Sequence, residues 1–537
     1  MRPLLRLDYV SPLPPVRSGI ADYSSDLLPH LAARADVRLI RLPDLPAAPE
    51  VEARYPTASP EALGDDGRLP LYQMGNNRWH RGVEELAEKM PGVLTLHDVF
   101  LHHLLLDLTM GKETREGYKE YVARLTRDHG WVGEAAAVAK RWGAWGDAPV
   151  FALPAHRSLL RRQRGVLVHS RWAAELLAEE DPEIRVRAVP MGIPLPPQPS
   201  REAGRALRRR LGLPEDAPVL GSFGFQTPIK RTAAVIRALA APGLERVRLL
   251  VVGEAPPAVN LTAEAAAAGV ADRVHVVGFL PYEDFEAAIA AVDLCVNLRY
   301  PTAGETSASL LRVFALGCPA VVSDFAQFAD LPDAIALKVP LGDEESAALP
   351  ALLGQLLAAP ERLRAMGDAA RELVRREHDP ETAADAVIEG CRAFAKLEPP
   401  GIGPESWPVG SPSSLAWGQL DGEIEVTGAE LPWPEGERRR LSVRLRNTGF
   451  ARWLAGEKDA GGVALVVKLF VDEALTEDLH AQQPWLPLPR DLAPGEEHVF
   501  LTEVRRPIGK AHLWIEPHLF GGLGLSRHGG PRWERAV

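Results

Sequence analysis

Apolar positions fall into short unbroken runs separated by stretches of helical spacing through residue 397, and into short alternating runs after that. Residues 4–10, 37–42, 69–73, 93–96 and 165–169 read as strands buried on both faces. Between the first two, Ile20, Leu27, Leu28 and Leu31 recur at helical spacing, with Asp22 in the first turn where the macrodipole favours an acid. A strand, a loop ending in Gly19 and a helix form the opening unit of a doubly wound domain. The pattern restarts with a helix over 201–211 and strands over 219–223, 248–253, 274–277 and 291–298. Helix and strand then alternate to about residue 339, which predicts a second parallel sheet covered on both faces. Proline-rich residues 189–194 read as the hinge between the two, and a helix over 381–397 as a return to the first domain.

Other stretches depart from this alternation. Residues 43–67 have no sustained period and read as a surface loop. Residues 99–160 form a helical insertion bearing Trp131, Trp142 and Trp145, with Arg157, Arg161, Arg162 and Arg164 as a basic cluster at its end. That cluster is either a solvated face or a surface for an anionic or lipid-linked molecule. Residues 398–414 are rich in Pro, Gly and Ser, the composition of a linker that leaves the C-terminal segment separable. Alternating runs at 423–426, 440–446, 463–471, 497–504 and 511–519, split by glycine turns, predict an antiparallel β-sandwich over 415–537. The expected organisation is 1–195 with the insertion, 196–397, the linker, and the sandwich.

The stretch 298–319 concentrates the candidate chemistry. Tyr300 and Pro301 follow the strand, Gly304-Glu305-Thr306-Ser307 forms the turn, and Leu310, Leu311, Phe314 and Ala315 fall on one face of a helix stopped by Gly317 and Pro319. A helix N-terminus at the carboxyl edge of a parallel sheet is a site for an anion such as a diphosphate. Glu305 beside it suits the hydroxyls of a neutral polyol, since it would repel the phosphates. A second loop, Gly224-Phe225-Gln226-Thr227-Pro228-Ile229-Lys230-Arg231, also lies between strand and helix and offers Lys230 as a point charge for phosphate.

These motifs, in this order, resemble those of the retaining glycosyltransferases of family 4. The resemblance implies the GT-B architecture: two doubly wound Rossmann-like domains facing a cleft, here followed by the β-sandwich. It implies a hexosyltransferase that moves a sugar from a nucleotide-diphosphate donor to a glycan or lipid-linked acceptor, as in bacterial surface polysaccharide synthesis. On it, Glu305, His97 and Lys230 would be catalytic, with His97 at the far end of the sugar. Gly19, Gly224, Lys230, Arg231, Glu254, Gly304, Glu305, Thr306 and Ser307 would bind the donor, and Arg17, Asp22 and His102 would face the acceptor. The sequence departs from the family at two places. Phe225 stands where the family loop carries an Arg, with Arg231 as the replacement charge. Val313, beside Arg312, stands eight positions after Glu305, where the family carries a second Glu that holds the ribose. These departures keep two rivals open: a non-catalytic GT-B glycan-binding protein, and another GT-B enzyme such as a phosphorylase or epimerase.

Composition narrows the setting. A net charge of −11 leaves no basic excess for nucleic acid. Cys295, Cys318 and Cys391 have unrelated spacings, which fits reduced thiols and no metal site. The chain contains no Asp-x-Asp, and His97, Asp98, His102 and His103 match no metal motif, so the expectation is no metal and no cofactor beyond the donor. Asp8 interrupts the first apolar run and no run is long enough to span a bilayer, so the expected location is cytoplasmic, at most peripheral at the inner membrane face. Trp433, Trp453, Trp485 and Trp514 of the sandwich are candidates to stack on acceptor sugars or to fill its core.

Overall fold

The computed structural model describes residues 4–112, 114–197, 201–401, 412–456, 461–470, 485–520 and 530–537. The described residues form two compact units, one of 1–104 with 159–401 and one of 105–158 with 402–537.

The first unit holds two parallel sheets. Strands β1 (Leu5–Val10), β2 (Ala35–Ile40), β3 (Thr57–Ala58), β4 (Leu69–Met74), β5 (Val93–Leu96), β6 (Gly165–Val168) and β7 (Val186–Ala188) pair in the order β3-β2-β1-β4-β5-β6-β7. Strands β8 (Val219–Phe223), β9 (Arg248–Val252), β10 (Val274–Gly278), β11 (Leu294–Asn297), β12 (Ala320–Ser323) and β13 (Ala336–Val339) pair in the order β10-β9-β8-β11-β12-β13. Every residue of β4, β5, β6, β8, β11 and β12 is buried, which is why these strands read as unbroken apolar runs. Each sheet reverses direction once, at β1/β4 and at β8/β11, and at such switch points the loops diverge to leave a crevice. The loops 11–18, 224–231 and 298–307 all issue from those points.

The region 43–67, expected to be loop alone, contributes β3 to the sheet edge. The last helix, Pro380–Phe394, is capped by Asp379 and returns to the first sheet: a Cβ on Gly165 of β6 would lie 2.3 Å from the Phe394 ring. Arg34, just after the helix Gly19–Ala32, bonds Asp385 on it at 2.6 Å.

In the second unit, β14 (Gly422–Thr427), β15 (Arg438–Asn447) and β18 (Glu497–Arg505) form one antiparallel sheet. Strands β16 (Val463–Phe470), β17 (Trp485–Pro487), β19 (His512–Leu519) and β20 (Trp533–Ala536) form the other. Leu441, Val443 and Leu445 of the first sheet share a core with Val463, Leu465 and Val467 of the second, and the β15 and β19 alternation follows from one face being wet. Trp433 and Trp453 are buried in this core, so neither can meet a sugar. The Arg532 guanidinium lies 4.3 Å over the Trp514 ring; Trp485 remains 43% exposed.

The helical insertion belongs structurally to this unit, although its chain interrupts the first domain. Its long helix, Arg115–Arg141, breaks at Gly130 (φ 58°). Tyr118, Tyr121, Val122 and Leu125 share a core with Ala416, Trp417 and Ala451. Tyr118 stacks on Trp417, Arg115 pairs with Asp421 at 2.9 Å, and buried Glu134 accepts the Ser413 N–H at 2.8 Å. Residues 412–414 are thus packed rather than linker-like, while 402–411 lie outside the described residues.

This packing corrects the expectation that a cut within 398–414 frees a well-behaved front portion. A chain ending at residue 401 leaves the Tyr118–Leu125 face uncovered and should elute as aggregate in size-exclusion chromatography. A chain that also replaces 105–158 by a short linker should elute as a discrete species. In the full chain, Trp417→Ala should lower unfolding stability by about 3–5 kcal/mol in denaturant titration. A dispersed 1–401 protein would contradict the shared core.

Candidate functional site

The β8 and β11 loops place two cations in one buried crevice. Gly224 follows β8 at φ +88°, and a Cβ there would lie 2.7 Å from Lys230 Nζ and 3.4 Å from Ser309 Oγ. Only glycine fits both the backbone and the space. The buried Lys230 ammonium donates to the Phe223 carbonyl. Burial, reinforced by the neighbouring Arg299 cation, pushes its pKa well below the usual lysine range, against the pull of Cys295 and Glu305. Arg299, just past β11, is equally buried, and its backbone N–H donates to Ser323 Oγ at 3.0 Å. Burial lowers its pKa too, opposed by Glu305.

Glu305 is the counter-charge. Its Oε1 accepts Arg299 Nε at 3.1 Å, and its Oε2 accepts Thr302 Oγ1 at 2.8 Å and the Ala303 N–H at 3.1 Å. The carboxylate is therefore locked within its own turn, while the expectation had it reaching sugar hydroxyls. Gln327 Nε2 braces the turn through the Glu305 carbonyl at 2.6 Å. Gly304 (φ +78°) is required because a Cβ would meet Val99 at 2.7 Å and Trp172 at 3.1 Å. Ser307 caps the helix Ala308–Ala315 by accepting the Leu310 N–H, with Thr306 half-buried ahead of it, and Ser309 Oγ lies 3.2 Å from Ser307 Oγ. Lys230, Arg299, Ser309 and a helix N-terminus thus converge with a single carboxylate among them. Such a crevice suits a compact anion of more than one charge.

On the first domain, His97 follows β5 and is buried. Its Nδ1 lies 3.2 Å from His169 Nε2 and its Nε2 3.0 Å from the Gln73 amide, while His169 Nδ1 lies 3.3 Å from the Val189 carbonyl. Tyr23 sets its ring edge-on to both imidazoles. With both rings neutral, a consistent chain runs from His169 Nδ1–H to Val189 and from His97 Nδ1–H to His169. It requires Gln73 to present its amide nitrogen to His97. Both nitrogens of His97 are then engaged, so the structure gives it a bracing position within the first domain, where the sequence had suggested a sugar contact. His169, unmarked in the sequence, completes the pair.

Next to His97, Asp98 Oδ2 accepts the Asn76 N–H at 2.8 Å. The following backbone touches the second domain, since the Phe100 N–H bonds the Ala303 carbonyl at 2.9 Å. Burial first, then the facing Glu305 charge, push the Asp98 carboxyl up to about 7, against the Asn76 N–H.

Several expected residues lie elsewhere. Arg231, at φ 53°, pairs through both guanidinium arms with buried Glu345, so it cannot replace the charge absent at Phe225. The cation beside Lys230 is Arg299, which no motif marks. His102 is buried in the helix His102–Thr109. Val313 is fully buried in the core; the neighbouring Arg312 faces the cleft and bonds Asp26 of the helix Gly19–Ala32 at 3.0 Å. The helix starting at the Ser307 cap sets that phase, so a Glu at 313 would be driven into the core. Gly19 opens its helix with open space around it, and Ser18 caps that helix. Asp22 is on the same helix, its carboxyl raised by burial and lowered by Arg312. Arg17 lies 5.6 Å over the Phe279 ring, and Glu254 is exposed at the end of β9. Among the described residues no group of three or more His, Cys, Asp or Glu side chains is placed to hold a metal, and no helix is long and apolar enough to cross a membrane.

Comparison with known proteins bears on the fold and on the second domain. Residues 217–374, the second domain, match the family model described as "Glycosyl transferases group 1". A 2-deoxystreptamine glucosyltransferase of Streptomyces kanamyceticus is 33% identical over 172 residues, 30% of this chain and 43% of that protein. The match thus spans less than half of that curated relative. The sucrose-phosphate synthase of Thermosynechococcus elongatus has a similar fold, with TM-score 0.52 and 18% identity, over 73% of this chain and 99% of that one. So has Anabaena HepE solved with UDP-glucose, with TM-score 0.50 and 14% identity, over 72% of this chain and 100% of that one. The chain has the GT-B architecture with an added antiparallel module.

The buried histidines set a pH dependence. Burial holds His80, just before the helix Arg81–Lys89, and His169 down to about 4, and His97 well below its ordinary value. Unfolded, each titrates near 6.5, so between those values the unfolded chain binds more protons and these side chains add stability that is lost as pH falls. Asp98 acts with the opposite sign between about 4 and 7, because its native carboxyl holds its proton longer. Denaturant titrations at pH 6.5 and 4 should show a loss smaller in His169→Gln than in the parent, by on the order of 3 kcal/mol. Equal losses would show that His169 is not held neutral.

Proposed function

We propose that the protein is a glycosyltransferase that moves a hexose from a nucleotide-diphosphate donor to a glycan or lipid-linked acceptor. The carrying observation is the pair of buried cations, Lys230 and Arg299, beside one carboxylate at the N-terminus of the helix Ala308–Ala315. A sugar diphosphate brings the negative charge this crevice lacks, and its leaving group gains charge as the sugar departs, where fixed cations act most strongly. The second-domain match to glycosyl transferases group 1 supports the reading, as does the likeness in fold to a protein solved with UDP-glucose. Arg299 also weakens the non-catalytic alternative, since the charge missing at Phe225 is supplied from another loop.

The finer parts of the reading rest on the family resemblance: retention at the anomeric carbon, a role in bacterial surface polysaccharide, and activity without a metal. Glu305 acts in it by holding Arg299 and shaping the turn. Exposed Trp485 offers an aromatic face for an acceptor glycan.

A thermal-shift screen with UDP, GDP, ADP and dTDP and their hexose conjugates tests the central claim, because a ligand that binds only the native state raises the melting temperature. At least one should do so, and Arg299→Ala should abolish the shift. Lys230→Ala should lower donor turnover by at least about a hundredfold, the scale of one preorganised charge, and turnover should persist in excess EDTA. A native protein stabilised by none of these nucleotides would sink the reading.

A further inference from the structure

The outward face of one sandwich sheet gathers aromatic rings around an ion network. Val463, Leu465 and Val467 of β16 point into the core, so Ala464, Val466, Lys468 and Phe470 point outward. In β19, Leu513, Ile515 and Leu519 are buried, while Trp514, Glu516 and His518 are half-buried on the outward face. Register places Trp485, Val466 and Glu516 in one row across β17, β16 and β19, and Lys468 beside Trp514 in the next. Glu516 Oε1 accepts Lys468 Nζ at 2.8 Å and lies 2.9 Å from His518 Nε2, and its Oε2 accepts Arg532 Nε at 3.0 Å. His518 first, then Lys468 and Arg532, hold this carboxyl well below the ordinary carboxylate range, against burial.

Aromatic pairs bracket the network. The Trp485 ring lies 5.3 Å from the His518 ring and 5.1 Å from Phe520, and Trp514 meets Phe470 at 4.6 Å. Arg532 covers Trp514, so Trp485 is the open ring. A protein partner fits such a face poorly, because the centres of protein interfaces are depleted of charge. A sugar fits it well, since its C–H face can lie on an indole while its polar groups meet fixed donors. The groups still available are donors: both Glu516 oxygens are engaged, while Arg532 gives it only Nε and its two terminal nitrogens bond no other described residue. Two cations around one carboxylate leave a place for one more negative charge, and a guanidinium fork matches a carboxylate. Glu534, in register with Trp514, is exposed on the far side of that ring from Lys468.

We propose that this face binds an acidic glycan, with Trp485 stacked on a sugar ring and Arg532 paired with the carboxylate of a uronic acid residue. That this glycan is the acceptor rests on the transferase reading above, whereas the binding itself does not.

The test passes the full chain over surfaces carrying immobilised polygalacturonate or alginate, which are uronate polymers, or dextran, which is neutral. The chain should bind at least one uronate polymer and not dextran. Trp485→Ala should abolish that binding, and Arg532→Gln should weaken it by about tenfold, the scale of one charge-assisted hydrogen bond. Absence of binding to both uronate polymers would overturn the proposal. So would equal binding to dextran, or binding that Trp485→Ala and Arg532→Gln leave unchanged. A parent that sediments as a dimer while Trp485→Ala sediments as a monomer would make this face an interface between copies, and would overturn it too. No nucleotide sugar enters the measurement, so its failure is separate from failure of the transferase reading.

Discussion

Lys230 and Arg299 share a crevice from which water is largely excluded, and the surrounding structure is arranged around that repulsion. Two like charges in a poorly polarisable site cannot both be comfortable, and a guanidinium does not give up its proton. Burial and the Arg299 charge together lower the lysine's affinity for its proton. Glu305 offsets one of the two charges. The Thr302 hydroxyl, the Ala303 N–H and Gln327 hold its turn in place, so the offset does not depend on a mobile side chain. Gly224 and Gly304 permit the approach, one by leaving room for the ammonium and the other by letting the turn close on Val99 and Trp172. An anion entering this crevice would relieve the repulsion and raise the affinity of Lys230 for its proton.

The same turn joins the two parallel-sheet domains. The Ala303 carbonyl receives the Phe100 N–H, and Gly304 rests on Val99, so the crevice and the β5 loop are fixed against each other. Further along, Arg312 bonds Asp26 on the helix that follows β1, just under one turn beyond Ser309 on its own helix. The return of Pro380–Phe394 to the first sheet adds an apolar tie through Phe394 and Gly165. The two parallel-sheet domains are thus tied by backbone, ionic and apolar contacts at separate points.

The sequence made the architecture readable because strands buried on both faces become unbroken apolar runs, and their loops carry the glycines. Gly224, Lys230, Gly304, Glu305 and the Ser307 cap were legible because each sits at a fixed offset from a strand end. Arg299 was not, since a lone arginine after a strand looks like a solvated one until the fold buries it. The partner of Arg231, Glu345, is remote in sequence, so no local pattern separates an available charge from an engaged one. Counting eight residues from Glu305 pointed to Val313, but helical phase turns that position inward and Arg312 outward. The union of the insertion with the sandwich was hidden for the same reason as Glu345, because Tyr118 and Trp417 meet only through the fold.

The histidine pair clarifies why the first domain can present a carboxyl with labile proton affinity. Were His97 charged, it would stand beside Asp98 as a fixed cation and hold the carboxylate ionised. Instead burial, the neighbouring imidazole of His169 and the Gln73 amide keep it neutral. Asp98 is left under the influence of the facing Glu305, which raises its affinity for a proton. The Arg299 charge thus lies in the second domain and the neutral imidazoles in the first, with the Phe100–Ala303 hydrogen bond between them. A further carboxylate beside Lys230 would offset the charge of Arg299 and weaken the crevice for an anion.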